Sequence, residues 1–230
     1  MADKSKLWYL ENFNLFTSLK QDSMMELNKM VSEKEINKNQ PIYFPNEPSN
    51  SIFFLKKGRV KISRYSDDGK EMIMAFINPG EVFGEMAYLG EGERTDIAIT
   101  VEPSYICAIN KSDFTSFVDK NPAMNMKLTR IIGLKLKSYS ERIEDLVFKD
   151  AKQRVISFLI KLSEENGKKV GEQIFVKPFL KHQDIADLTA CARQTVNDVL
   201  TDLREKQIID FDRKKLIIND ADKLKSFMKK

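Results

Sequence analysis

The chain has 230 residues, 42% hydrophobic and 31% charged, which is the balance of a folded globular protein with one large domain or two ordinary ones. It contains no run of about eighteen apolar residues of the kind that crosses a membrane, and the charges within MADKSKLWYLENF exclude a secretory signal. The expectation is a cytoplasmic protein without membrane association, with Cys107 and Cys191 as widely separated reduced thiols. The net charge of +4 falls entirely in residues 150–230, the remainder being balanced, so a polyanionic partner fits the C-terminal part.

Residues 5–35 predict helix, with Trp8, Tyr9, Phe13 and Phe16 as packing aromatics and Asp22 or Ser23 capping a second helix through Lys29. From Asn37 to Asn110 the texture changes to short strands: Gln40–Phe44, Ser51–Lys56, Arg59–Tyr65, Glu71–Ile77, Val82–Phe83, Asp96–Val101 and Ser104–Ile109. Turn residues separate them, among them Gly58, Asp68-Gly69, Pro79-Gly80 and Pro103, which predicts an antiparallel sandwich or barrel. The hairpin turning at Asp68-Gly69 is its clearest element. A short helix, Lys111–Asp119 with Ser112 as its cap, follows.

Asn121–Phe148 predicts one long helix opening at Asn121-Pro122. Ile132, Leu136, Tyr139, Ile143 and Leu146 alternate in steps of four and three, the seam of a two-stranded coiled coil. The simpler alternative is an amphipathic helix packed on its own domain, but the seam is narrow and the helix long, which favours a homodimer.

After a hinge at Phe148-Lys149-Asp150, Asp150 caps a helix through Leu162, Glu164–Gly171 reads as a polar loop and Ile174–Val176 as a strand. Two short helices follow, about His182–Leu188 and Arg193–Lys206, joined by the small residues Thr189 to Ala192. The apolar pairs Ile208-Ile209 and Leu216–Ile218 flank a basic tip at Arg213, Lys214 and Lys215. This predicts a winged helix-turn-helix that binds double-stranded DNA; a plain helical hairpin is the alternative. Arg193, Gln194, Asn197 and Asp198 start the second helix on its outward face and are the candidate base readers. Lys181, Gln183, Thr195 and the wing tip suit phosphates. His182 is expected near the DNA backbone or in solvent, and Cys191 as a small turn residue.

An enzyme finds no support: the one histidine lies outside the barrel, the cysteines are far apart, and no nucleophile stands with a base. No metal site is expected. Within the barrel, Gly80 to Ala87 and Glu93-Arg94-Thr95 stand out. A Cβ-free backbone at Gly84 beside Glu85, with a guanidinium and a hydroxyl at Arg94 and Thr95, suits a nucleotide: carboxylate on ribose, arginine on phosphate. A Glu85–Arg94 salt bridge across the loop is the alternative.

The segment GEVFGEMAYLGEGERTD resembles the phosphate-binding cassette of cyclic-nucleotide-binding domains, and the chain from about Phe13 onward resembles the CRP/FNR family of bacterial transcription regulators. The resemblance implies an α+β protein in three parts. These are an N-terminal antiparallel β-roll of jelly-roll type over 1–120, a dimerisation helix over 121–148 and a winged helix-turn-helix over 149–230. It implies a palindromic operator and RNA polymerase as a protein partner. It also implies a small-molecule effector of the cyclic-nucleotide kind, such as cyclic AMP, contacted by Gly84, Glu85, Met86, Arg94 and Thr95. Glu85 would bond the ribose 2′-hydroxyl and Arg94 the cyclic phosphate. Two positions depart from the cyclic AMP binders: Asp96 replaces a small residue, and Tyr139-Ser140 stands where a Thr-Ser pair contacts adenine. The N-terminal cysteine cluster of the iron–sulfur branch and the barrel histidine of the haem branch are both missing. In the recognition helix, Cys191-Ala192-Arg193-Gln194-Thr195-Val196 keeps the family's guanine-reading arginine, while Gln194 and Asp198 depart from a glutamate and a basic reader. The competing function is a DNA-binding regulator whose roll takes another ligand, or none, and which acts without an effector.

Overall fold

A computed structural model describes Leu10, Phe13 and residues 15–228; Trp8 and Tyr9 lie outside the described residues. The chain divides into two compact units, one ending at Leu136 and one beginning at Lys137.

In the first unit, α1 (Gln21–Met30) leads into β1 (Ser32–Ile36), β2 (Pro41–Tyr43), β3 (Ser51–Lys57), β4 (Val60–Tyr65), β5 (Glu71–Ile77), β6 (Val82–Phe83), β7 (Ile97–Thr100) and β8 (Ser104–Asn110). They form two four-stranded antiparallel sheets, ordered β1-β8-β3-β6 and β2-β7-β4-β5. Inward-facing Leu55, Val60, Ile62, Ile77, Phe83, Ala98 and Ile106 fill the space around Tyr43, as strand periodicity requires. A second cluster joins Phe13, Phe16, Phe54, Phe114 and Phe117 to Met124 and Leu128. Gly58 has φ +92 and a Cβ there would lie 2.3 Å from Ser104 Oγ, so only glycine fits the β3–β4 turn.

Several local expectations are corrected. Ser32–Ile36 is a strand paired with β8, not the tail of a helix. α1 begins at Gln21 after Lys20, with no side-chain cap from Asp22 or Ser23; Asp22 instead lies in the first turn, where its charge favours the helix dipole. The next helix, α2 (Lys111–Lys120), starts at Lys111 as expected, but its N-cap is Asn110 and not Ser112. α2 follows directly on β8, whereas α1 is entered from a turn.

Helix α3 (Ala123–Phe148) is continuous over 26 residues. In the second unit, α4 (Ala151–Asn166) starts with a capping box in which Asp150 accepts from the Gln153 backbone and the Gln153 side chain accepts from Asp150 N–H. The polar loop expected after it is partly helix and partly strand: β9 (Gly167–Val170) pairs with β10 (Gln173–Val176). Then come α5 (His182–Thr189), α6 (Arg193–Glu205), β11 (Ile209–Phe211), β12 (Leu216–Ile218) and α7 (Ala221–Ser226), with a sheet ordered β11-β12-β10-β9. Val155, Ile156, Leu159, Ile185, Val196, Leu200 and Leu203 bury the faces of α4, α5 and α6.

Candidate effector site and nucleic-acid interface

Gly84 adopts φ +68 at the entrance to a 3-10 turn, Glu85–Ala87, that follows β6. A Cβ on it would lie 3.0 Å from the Phe53 ring, 3.1 Å from Arg94 Nη1 and 3.3 Å from the Ser51 carbonyl. The left-handed backbone favours glycine, and a Cβ would make these neighbours give by a few tenths of an ångström. Arg94, 3% exposed, fills the space beside it. Its guanidinium donates to the Gly84 carbonyl at 3.2 Å and to the Ser51 carbonyl, and lies 4.5 Å from the centre of the Tyr43 ring. The Tyr43, Phe53 and Phe83 rings stack on one another alongside.

Glu85 is buried and does not pair with Arg94. Its carboxylate meets Lys135 Nζ of α3 at 2.8 Å, and the same ammonium donates to the Val82 carbonyl at 3.3 Å. Arg94 Nη1 lies 3.6 Å from Glu91 Oε2. Thr95 Oγ1 accepts from Arg64 Nη2 at 2.7 Å and donates to Glu91 Oε1 at 3.4 Å. Asp96 accepts from the Tyr43 hydroxyl at 2.9 Å. Burial pushes the Asp96 carboxyl above the usual range, against the pull of that hydroxyl; burial, then Asp96, pushes the Tyr43 phenol up.

The structure thus groups Gly84, Glu85, Arg94 and Thr95 in the first unit, with Met86 exposed on the same turn. Tyr139, half-buried, and Ser140, exposed, belong to the second unit. Sequence reasoning missed Tyr43, Ser51, Phe53, Arg64, Glu91 and Lys135. Their only signal was residue type, because all except Glu91 lie 30 or more positions from Arg94. Of the seam, Leu136, Ile143 and Leu146 are exposed and Ile132 and Tyr139 half-buried. Met126, Val147 and Phe148 extend the exposed apolar surface of α3.

In the second unit, Ala190 ends α5 in the left-handed region and Cys191 N–H donates back to the Ala186 carbonyl at 3.0 Å. Arg154 of α4 holds this turn, donating to the Thr189 carbonyl at 2.9 Å and to the Ala190 and Lys149 carbonyls at 3.0 Å. The start of α6 displays exposed Arg193 and Gln194; Gln194 is tied to Asp198 one turn on at 2.7 Å. Thr195 and Asn197 are half-buried. Gln183, exposed, donates to Asp187 at 2.8 Å. His182 is half-buried and not free in solvent. Its ring packs edge-on against Phe179 and Phe211, which also touch each other, and Nδ1 is hydrogen-bonded to Asn197 Oδ1. At the wing tip Asp212 accepts from Lys214 and Lys215 N–H at 2.6 and 2.9 Å, which turns the chain around Arg213, Lys214 and Lys215. The Lys214 N–H, above all, holds the Asp212 carboxyl below the usual range.

A roll with a ligand-type cassette and a winged helix-turn-helix with a basic tip define a DNA-binding transcription regulator. The cyclic nucleotide-binding domain family matches residues 33–121 and the Crp-like helix-turn-helix domain family residues 153–227. The chain is 30% identical to the Global nitrogen regulator of Nostoc over 79% of its length and 82% of that protein. It is 25% identical to the CRP-like cAMP-activated global transcriptional regulator of Mycobacterium tuberculosis over 94% and 96%. A CooA mutant from Carboxydothermus hydrogenoformans superposes with a TM-score of 0.80 at 26% identity, covering 98% and 97% of the two chains. The chain belongs to the CRP/FNR family of transcription regulators.

Proposed function

We propose that this regulator is a homodimer switched by a cyclic nucleotide bound in its roll. Residues 1–120 sense the effector, 121–148 form the dimer seam and 149–230 bind DNA. Glu85 serves the ribose, Arg94 and Thr95 the cyclic phosphate, and Tyr139 and Ser140 the base, with Gly84 admitting the ligand to the backbone. Arg193, Gln194, Asn197 and Asp198 read bases in the major groove, while Gln183, Thr195, Arg213, Lys214 and Lys215 hold phosphates. Two such modules related by the dimer axis fit half-sites ~34 Å apart. The effector favours the dimer geometry that meets successive major grooves. RNA polymerase is the proposed protein partner, by membership of the family.

The observation that supports the effector site is Arg94, buried against a left-handed glycine around which there is little room for a side chain. Calorimetric titration with cyclic AMP tests it: saturable binding to the wild type, lost in Arg94→Ala, is expected. Undiminished binding to Arg94→Ala overturns the role of Arg94, and no binding to either protein overturns the nucleotide. One observation favours a second reading, in which the roll works with another ligand or none. Both Arg94 and Glu85 already have charged partners in Glu91 and Lys135.

A further inference from the structure

The cassette holds a carboxylate where it would receive a phosphate. Glu91 is 13% exposed at its side chain. Its Oε2 accepts from Ser49 Oγ at 2.8 Å and lies 3.6 Å from Arg94 Nη1, while its Oε1 accepts from Thr95 Oγ1 at 3.4 Å. One carboxylate therefore touches both groups assigned to the effector's phosphate.

The surrounding chain secures it. Ser49 is 1% exposed, and its N–H donates to the Gly92 carbonyl at 2.9 Å. Asn46 N–H donates to the Arg94 carbonyl, and Arg94 N–H to the Glu47 carbonyl, both at 2.8 Å. Pro48 bridges to Glu93. The segment 46–49 is thus zipped to 92–94, with the Glu91 side chain held against it. A carboxylate and a cyclic phosphodiester each present one negative charge on two free oxygens, so the two are interchangeable to a guanidinium and a hydroxyl. Arg64 adds a second cation at the rim through Thr95. A ligand anion added without displacing Glu91 would meet the charge of that carboxylate, itself within electrostatic reach of Asp96, at a Coulombic cost.

Building on the assignment of Arg94 and Thr95 to an anion site, we infer that Glu91 is a tethered occupant of that site and decides which anions the roll accepts. A cyclic nucleotide, or any singly charged phosphodiester, binds by displacing it. A tethered group competes at an effective concentration in the ~mM range, and the apparent ligand affinity falls by the fraction of sites left open. Glu91→Gln keeps the acceptor for Ser49 and removes the charge. Glu91→Asp keeps the charge and shortens its reach by one methylene.

The test titrates full-length wild type, Glu91→Gln, Glu91→Asp and Glu91→Gln/Arg94→Ala with sulfate and, separately, with cyclic AMP, each protein first verified as folded by its thermal transition. Glu91→Gln should bind both at least about tenfold more tightly than the wild type, Glu91→Asp should fall between them, and the double variant should lose the gain. A gain for sulfate with none for cyclic AMP supports Glu91 as the occupant and overturns the nucleotide reading instead. Equal affinities of wild type and both Glu91 variants for both anions overturn the role of Glu91. So does a gain that survives Arg94→Ala.

Discussion

Lys135 Nζ of the long helix lies 2.8 Å from Glu85 Oε1 of the cassette turn. The contact joins a side chain from the middle of α3 to the residue assigned to the effector's ribose. Glu85 is 10% exposed at its side chain and Lys135 32%, so this pair is worth more than a surface ion pair and less than a fully buried one.

Lys135→Met leaves the Glu85 carboxylate buried without its cation. Urea denaturation should show a loss of about 1–3 kcal/mol, and Lys135→Met/Glu85→Gln should recover part of it because the uncompensated charge is gone. Additive losses in the double variant would mean that the two residues are not coupled.

The Asp96 carboxyl is pushed up by burial, so the folded chain holds its proton more tightly than the unfolded chain does. The associated stability is fully present below the ordinary aspartate value of about 3.9 and is lost as pH rises through the elevated folded value. Asp96→Asn keeps an acceptor for the Tyr43 hydroxyl and removes the charge. Its melting temperature should exceed that of the wild type by a margin that grows above about pH 4 and then levels off. A margin that shrinks with rising pH contradicts the sign of the shift.

On the proposed DNA-binding face His182 and Arg193 have different parts. Arg193 is exposed at the start of α6, and Arg193→Ala should cost about 1–3 kcal/mol at one guanine per half-site. An equal loss on every sequence would remove it from the base readers. His182 fixes the Asn197 amide from the side. His182→Ala should therefore relax discrimination at the base that Asn197 reads, measured on operators substituted at that position, while affinity for random DNA holds.

The exposed Leu136 and Ile143 of α3 each remove roughly 1.5–3 kcal/mol of apolar burial per protomer from an interface when replaced by Asp. Sedimentation of Leu136→Asp/Ile143→Asp should show monomers where the wild type sediments as a dimer. An unchanged dimer would place the seam elsewhere.

The strands of the roll, the hairpin at Asp68-Gly69 and the helix pair around Ala190 were legible because period-two alternation, glycine turns and helical spacing are local signals. The strands that escaped, Ser32–Ile36 and Gly167–Val170, both lie at sheet edges. Rich in lysine and glutamate, or in lysine and glycine, they show none of the apolar alternation that marks a strand, as suits an edge that must not recruit another chain. The motif marked Gly84, Glu85, Arg94 and Thr95, but not what they touch. Glu91 with Ser49, Lys135 with Glu85 and His182 with Asn197 meet across 42, 50 and 15 positions. Tertiary packing sets those distances, and residue type alone did not reveal them.

Central to this account is an effector in the roll that governs DNA binding by the module at the other end of the chain. Fluorescence anisotropy tests it most directly, with full-length protein on a palindromic operator selected from random DNA, with and without saturating cyclic AMP. At fixed salt the account predicts an operator affinity that rises at least about tenfold with the nucleotide, a coupling of ~1.4 kcal/mol, and a response abolished by Arg94→Ala. The same operator affinity with and without cyclic AMP, in wild type and variant alike, would contradict it and leave a regulator that binds DNA without consulting the nucleotide.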